Sequence, residues 1–292
     1  MTQTRTIALA GRVRARRLRR TAPSVEIIAL IVAALILLVG VIGPWVAPYN
    51  PVKVDIGSSL LPPSGAHLFG TDATGRDVLS RVLTGARTTL GATFIVLAIT
   101  VIIGVLIGLF AGLVGGIVDE VLMRITDVAL ALPSIALALG IAAALGPSLT
   151  STVIAVAVTW WPGYARLIRA VVRDIRDAEY VVNARALGVG PVRLVLRHVL
   201  PNALDPLYVQ LTLDVANVML VISGLSFIGV GAQVPSSEWG AMVASAADNV
   251  TSGWWALVFP GVAIAVTGIA FNLVGDWVRV RTDPTLRGGG AR

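Results

Sequence analysis

Residues 25–46 read VEIIALIVAALILLVGVIGPWV, a run of 22 positions whose only charge is Glu26. At about 1.5 Å of rise per residue such a run covers roughly 30 Å of hydrocarbon, and a water-soluble fold has no place to bury it. Further apolar stretches follow at 90–114, 121–145, 149–165, 206–230 and 255–277. In the fifth, Asp205 stands in a capping position and Pro206 in the first helical turn, which marks its start. The spacing predicts an all-α membrane protein with six transmembrane helices. Composition agrees: the chain is 56% hydrophobic and 13% charged, with mean hydropathy +0.85, against ~25% charged in soluble domains. A cleaved signal peptide is the rival reading of the first run. Its apolar core would be shorter and followed by small residues, whereas this run ends in GPWVAPYNP, which favours a retained anchor.

Orientation follows from the arginines. Arg5, Arg12, Arg14, Arg16, Arg17, Arg19 and Arg20 crowd the N-terminal tail. Beside a spanning helix such a patch sets topology rather than binding nucleic acid. With six crossings, only Lys53, Arg76, Arg81 and Arg87 of the 23 basic residues fall on the opposite side from that tail. Both termini are therefore expected in the cytoplasm of a multi-pass cell-membrane protein. The expected organisation is a basic tail over 1–24, a first transmembrane helix over 25–47 and an external loop with an interfacial helix over 48–87. A five-helix core over 88–282 includes a connecting segment at 176–202, and a tail over 283–292 follows.

Several chemistries are excluded. The chain has no cysteine, so it forms no disulfide or thiolate site. Its two histidines, His67 and His198, lack metal-ligand spacing, and no metal site is expected. Lys53 is the single lysine and sits in NPVKVDIG, which is no phosphate-binding loop. No HExxH or GxSxG occurs, so no catalytic residue and no bound cofactor is expected. A self-sufficient secondary transporter would show internal repeats and several midplane acids. There is no convincing repeat, and Asp214 is the one strong midplane acid.

The outer segments are distinctive. In GRDVLSRVLTGARTTL, Leu79, Val82, Leu83 and Ala86 share a helical stripe, which suits a helix at the outer interface. GAQVPSSEWGAMVASAADNVTSGWW is too polar to span, and Trp239, Trp254 and Trp255 are expected at the headgroup level. Gly104, Gly108, Gly112 and Gly116 recur every four residues, which predicts close helix packing.

The least membrane-like part lies near the middle. From residue 165 to 175 the fourth span continues as an amphipathic helix, with Arg166, Arg169 and Arg173 opposite Leu167, Ile168, Val171 and Val172. Then comes EYVVNARALGVGPVRLVLRHVLPNAL, residues 179–204. Tyr180, Val181, Ala184 and Leu187 form an apolar stripe ended by Gly188. Pro191 starts a second short helix with Arg193 and Arg197 one turn apart, expected to stop near Pro201. A solvated basic loop explains the arginines but not the stripe, which needs a covering surface.

ARALGVGPVRLVLRHVLPNAL resembles the EAA-type cytoplasmic motif of binding-protein-dependent ABC importer permeases. HLFGTDATGRDVLSRVLTGARTTL (67–90), LSFIGVGAQVPSSEWGAMV (225–243) and FNLVGDWVRVRTDPTLR (271–287) resemble the C-type permease subunit of dipeptide, oligopeptide and nickel importers. The likeness covers nearly all of the chain beyond the basic tail. It implies a type I importer permease fold in which the elbow is the coupling helix, seated in a cleft of a cytoplasmic ATPase. It also implies a homologous second permease, an extracytoplasmic substrate-binding protein, and ATP and Mg used by the partner ATPase rather than by this chain. Peptide is the expected substrate, with nickel or another small solute as the alternative. Ala184, Gly188, Leu200 and Pro201 match the motif. Val182 stands where its Glu is usual and Asn183 replaces its first Ala, so any ion pair from that Glu is either absent or supplied by a neighbour such as Glu179; Arg185, Arg193 and Arg197 complete the expected docking set. After the first Arg of VRVRTDPTLR the family's usual acidic residue is missing.

Charged groups inside a bilayer are costly and tend to be paired or functional. Asp214 and Asn217 in the fifth span are candidates for the translocation path, and an interhelical bond is an equally good reading of Asp214. Asn272 with Asp276, Asp276 with Arg279, and Glu120 with Arg124 have the spacing for contacts along one helix. Asp119 and Asp127 also open the third span, and these groups are read as structural.

Overall fold

Helix α1 (Pro23–Val46) is the first apolar run, and it lies along α2 (Val78–Val114) and α10 (Val250–Thr282) in the computed structural model, which describes residues 23–282. The basic tail holding Arg5 to Arg20 and the tail from 283 onward lie outside the described residues. Half of the described α1 side chains are exposed and few are buried, as suits a helix at the edge of a bundle facing lipid. The described chain is otherwise almost entirely helical. Its β-pairing amounts to one isolated bridge between Thr71 and Asp77.

The second span is longer than expected. Helix α2 runs over Val78–Val114 without a break, capped by Asp77, whose side chain accepts from the Ser80 N–H. The stretch expected as a separate interfacial helix is thus the opening of α2. Val78 and Ala86 are buried there against Trp239, Met242 and Trp255.

Helix α5 (Leu149–Arg176) is the partner α2 touches most. Glycine makes this contact possible. A Cβ on Gly104 would stand 2.4 Å from the Tyr164 Cβ, and one on Gly108 would stand 2.5 Å from the Ala165 carbonyl oxygen. Gly112 meets Val172 in the same way. The glycine stripe does what small residues do in membrane helix pairs, letting backbones approach. Gly116 does not belong to it. It follows Gly115 in the turn after α2, and both have positive φ, 57° and 69°.

The third expected span is broken. Helices α3 (Gly116–Ala131) and α4 (Ser134–Leu145) meet at 87° across Leu132–Pro133. Proline removes a helical N–H and pushes its predecessor out of the helical region, and Leu132 is extended with ψ 141°. Four stretches, in α1, α2, α8 (Leu200–Phe227) and α9–α10, are long and apolar enough to cross a membrane, and the bent α3–α4 pair makes a fifth. Of the six expected crossings, the one in α5 is not in that set. Its Ser151, Thr152, Thr159 and arginines lower its apolarity. It packs on α2, α4 and α8.

Beyond α5 come α6 (Glu179–Ala186), α7 (Pro191–Leu194), a five-residue π-turn (Val195–Val199) and α8. Helix α9 (Trp239–Ala246) precedes α10 (Val250–Thr282), which is kinked at Gly253. The fifth apolar span runs over Pro206–Phe227, close to the expected bounds, but the helix that holds it starts earlier, so Asp205 and Pro206 lie inside α8 rather than capping it. Pro201 does not end the preceding helix either, as it sits in the first turn of α8. The π-turn is the physical reason. The Leu200 N–H reaches back five residues to the Val195 carbonyl, and this widened turn relieves the backbone just where Pro201 contributes no N–H.

Candidate functional site

The elbow is built from α6, a glycine turn and α7. Helix α6 ends in a two-bond cap: Gly188 donates to the Arg185 carbonyl at 3.0 Å and Val189 to the Ala184 carbonyl at 3.1 Å. This pattern requires a left-handed residue between them, and Gly188 has φ 81°. A Cβ at Gly188 would meet nothing within 4 Å, so the demand is conformational rather than steric. Among the stripe residues, Val181 is fully buried while Leu187 is 85% exposed and Tyr180 is exposed too. The expected single apolar face is therefore split. Val181 anchors α6, and Tyr180, Val182, Leu187, Val192 and Leu196 stand outward. Glu179, Arg185, Gly188, Arg193, Arg197 and Pro201 are exposed, while Ala184 and Leu200 are half-buried. The structure thus brings the expected docking residues into one short connection, mostly on its surface.

The elbow hangs from α5, and α5 is fastened by ion pairs that run between helices. Arg169 grips Asp119 with two bonds, Nε to Oδ1 at 2.8 Å and a terminal nitrogen to Oδ2 at 2.6 Å. Arg166 reaches Asp127 at 2.5 Å, and Arg176 donates to the Gly112 carbonyl at 3.3 Å. The contacts expected along single helices are not observed. Glu120, Arg124, Asp276, Arg279 and Asn272 are exposed, and no ion pair joins Glu120 to Arg124 or Asp276 to Arg279 among the described residues.

Asp214 lies mid-way along α8 and is 3% exposed. Its Oδ2 accepts from the Tyr164 hydroxyl of α5 at 2.7 Å and from Gln210 Nε2 at 3.0 Å, and its Oδ1 accepts from Asn217 Nδ2 at 3.3 Å. The interhelical bond is thus observed. The same carboxylate also lines a cavity of about 340 Å³ between the α3–α4 bend (Leu130, Ser134), α5 (Trp160, Tyr164) and α8 (Gln210). Asn217 is exposed and does not line it. Tyr164, Trp160 and Gln210 were missed in the sequence. Their signal was the same as that of Asp214, a polar or amphipathic group inside an apolar run.

On the far side of the bundle, the 47–77 loop, the opening of α2 and the 231–239 loop lock together. Asp72 Oδ1 accepts from the backbone of Thr74 and Arg76, and its Oδ2 from Arg76 Nε at 2.7 Å. Burial alone would raise the Asp72 pKa. The Arg76 and Thr74 hydrogen bonds and the Arg76 charge outweigh it and hold the carboxyl below its ordinary value. Arg81 donates to the Pro51 carbonyl at 2.9 Å and the Ser236 carbonyl at 2.8 Å. Glu238, 0% exposed, accepts from Ser223 at 3.0 Å and from the Ala241 N–H at 2.8 Å. Trp239 and Trp255 are not headgroup anchors. Both are buried, donating their indole N–H to the carbonyls of Val82 and Thr71. Only Trp254 of the three stands exposed.

Comparison with known proteins agrees with this architecture. Residues 104–288 match the model of the binding-protein-dependent transport system inner membrane component, and residues 15–63 match the N-terminal TM domain of oligopeptide transport permease C. The chain is 43% identical over 258 residues to the probable D,D-dipeptide transport system permease protein DdpC of Escherichia coli K12, covering 88% of this chain and 87% of that one. It is 43% identical over 267 residues to the dipeptide transport system permease protein DppC of the same strain, covering 89% of each. It is 42% identical to the di/tripeptide transport system permease protein DppC of Pseudomonas aeruginosa UCBPP-PA14, covering 88% of this chain and 87% of that one. Among solved structures, the inward-facing MetNI methionine ABC transporter shares the fold, with TM-score 0.55 at 16% identity over 69% of this chain and 96% of that one. A helical bundle carrying an exposed elbow between two long helices, matched along nearly its whole length, makes this chain a member of the family of binding-protein-dependent transport system inner membrane components, a multi-pass ABC importer permease.

Proposed function

We propose that the chain is one of two membrane subunits of an ATP-driven importer of di- and oligopeptides, and that residues 179–201 receive mechanical work from a cytoplasmic ATPase. The observation that carries this is the elbow. Leu187, Val192 and Leu196 stand in solvent beside Arg185, Arg193 and Arg197, on a connection capped at Gly188 and held by buried Val181. Exposed apolar side chains ringed by cations suit a protein cleft with an acidic rim. The peptide assignment rests on the relatives, whose names specify dipeptides, D,D-dipeptides and di/tripeptides.

In this reading ATP and Mg are consumed by the partner ATPase, whose closure draws the elbow inward and rocks the helices from inward- to outward-facing. An extracytoplasmic binding protein hands the peptide to a path shared with a homologous second permease, and Asp214 and Asn217 belong to the half contributed here. Both termini and the elbow face the cytoplasm. Val182 cannot form the ion pair of the Glu usual at its position, and exposed Glu179 at the start of α6 takes over that contact. Purification in mild detergent should recover a second permease and ATPase subunits, and the reconstituted assembly should take up labelled peptides only with ATP. Recovery of the chain alone, or uptake driven by an ion gradient without ATP, would overturn the proposal.

A further inference from the structure

Asp214 is surrounded by hydrogen-bond donors but by no cation. Tyr164, Gln210 and Asn217 are all neutral, and no Lys, Arg or His forms an ion pair with Asp214 among the described residues. A carboxylate out of water without a counter-ion is costly, and donors soften that cost without cancelling the charge. Acceptor capacity is left over. An ionised carboxylate offers about four lone-pair sites, and Oδ1 receives only the 3.3 Å contact from Asn217. The group that borders this carboxylate is a cavity of about 340 Å³, within the ~300–1,000 Å³ typical of small-molecule sites. Trp160 lines the same cavity, and an indole face attracts cations.

We propose that this cavity transiently binds the primary ammonium group of the transported solute, the free amino terminus of a small peptide, with Asp214 as counter-ion and Trp160 as an aromatic wall. The proposal rests on the peptide-import reading above. An ammonium fits better than a metal ion. It needs acceptors and an aromatic face, which are present, whereas a divalent metal needs several oxygen ligands and the groups bonded to Asp214 point hydrogens at it. The path then carries a weak charged station half-way along α8, favourable enough to accept the peptide and single enough to release it.

The test uses the whole transporter in nanodiscs, without its binding protein, and saturation-transfer NMR with Ala-Ala and N-acetyl-Ala-Ala. Wild type should saturate Ala-Ala at least five-fold more strongly than the acetylated peptide. Asp214→Asn, which removes the charge while its one remaining oxygen can still accept from Tyr164 and Gln210, should abolish the difference. Trp160→Leu should lower the Ala-Ala signal several-fold, and it decides the matter with the acetylation comparison if Asp214→Asn fails to assemble. Equal signals for the two peptides, no change in Trp160→Leu, or displacement of Ala-Ala by sodium but not by methylammonium would overturn the site. ATP-driven uptake by wild type is measured in parallel with the binding protein present. Uptake without amino-terminal discrimination in the NMR sinks only the site, while discrimination without any peptide uptake sinks the import reading.

Discussion

Gly188 closes α6 at φ 81°, with open space where a side chain would go. A non-glycine residue there pays ~1–2 kcal/mol for the left-handed backbone, a local cost at an exposed turn. A Gly188→Val chain should therefore insert normally and the assembly's ATPase subunits still hydrolyse ATP, with peptide uptake per ATP falling several-fold; a wild-type ratio would count against docking at this turn. Gly108 is the opposite case, ordinary in backbone but so close to α5 that a Cβ would stand only 2.5 Å from the Ala165 carbonyl oxygen. Gly108→Val should lower stability in detergent by ~1–3 kcal/mol as α2 and α5 are forced apart. Gly91→Ala, on the same helix with nothing within 4 Å, should raise it slightly. Asp72 supplies a pH dependence. Its carboxyl is held below the ordinary value of 3.8, so its contribution is complete above that value and is lost as pH falls through the depressed one. Hydrogen exchange in the 47–77 loop should stay slow down to that ordinary value and quicken below it, and Asp72→Asn should remove the step. At this scale legibility depended on whether a residue's role is local. Gly188 and the Gly104–Gly108–Gly112 stripe were readable because turn geometry and helical spacing are written in neighbouring residues. Trp239 and Trp255 were misread because an indole serves equally at a membrane interface or in a core, and only the distant Val82 and Thr71 carbonyls decide.

At the scale of elements, the sequence reading assumed that charges satisfy one another along a helix. The structure pairs them between helices instead: half-buried Arg169 and exposed Arg166 of α5 reach Asp119 and Asp127 of α3. Arg169 holding Asp119 with two bonds is the clearest weld. A double-mutant cycle on Asp119→Asn and Arg169→Gln should give a coupling energy of ~0.5–3 kcal/mol in thermal unfolding, and strict additivity would show the pair to be ornamental. Boundaries were the least readable feature. Pro133 breaks a span at 87°, whereas Pro201 sits in the first turn of α8 after a π-turn that local composition does not announce, and Pro206 lies inside α8.

For the whole molecule, the proposed orientation has the elbow and both termini in the cytoplasm and the 47–77 loop outside, an arrangement that labelling can test. The chain has no cysteine, so single thiols can be introduced without background. A thiol at Leu187→Cys should react with a membrane-impermeant maleimide only after the cytoplasmic face is opened, and one at Lys53→Cys should react in intact cells. The reverse pattern would invert the topology and with it the proposed ATPase contact. The helical class and the chain's place among importer permeases were legible because both are spread over long apolar runs and four separate motifs. The cavity was not, since it is assembled from α3, α4, α5 and α8, and no window of sequence contains it.

From residue 191 to Asp214 the chain passes through α7, the π-turn and α8 without a loop. From Leu200 the carboxylate is only ~21 Å up the axis at about 1.5 Å per residue. Under the proposed docking at the elbow, this unbroken helical path makes the elbow and the carboxylate two ends of one lever, so a tilt delivered at one end is carried to the other.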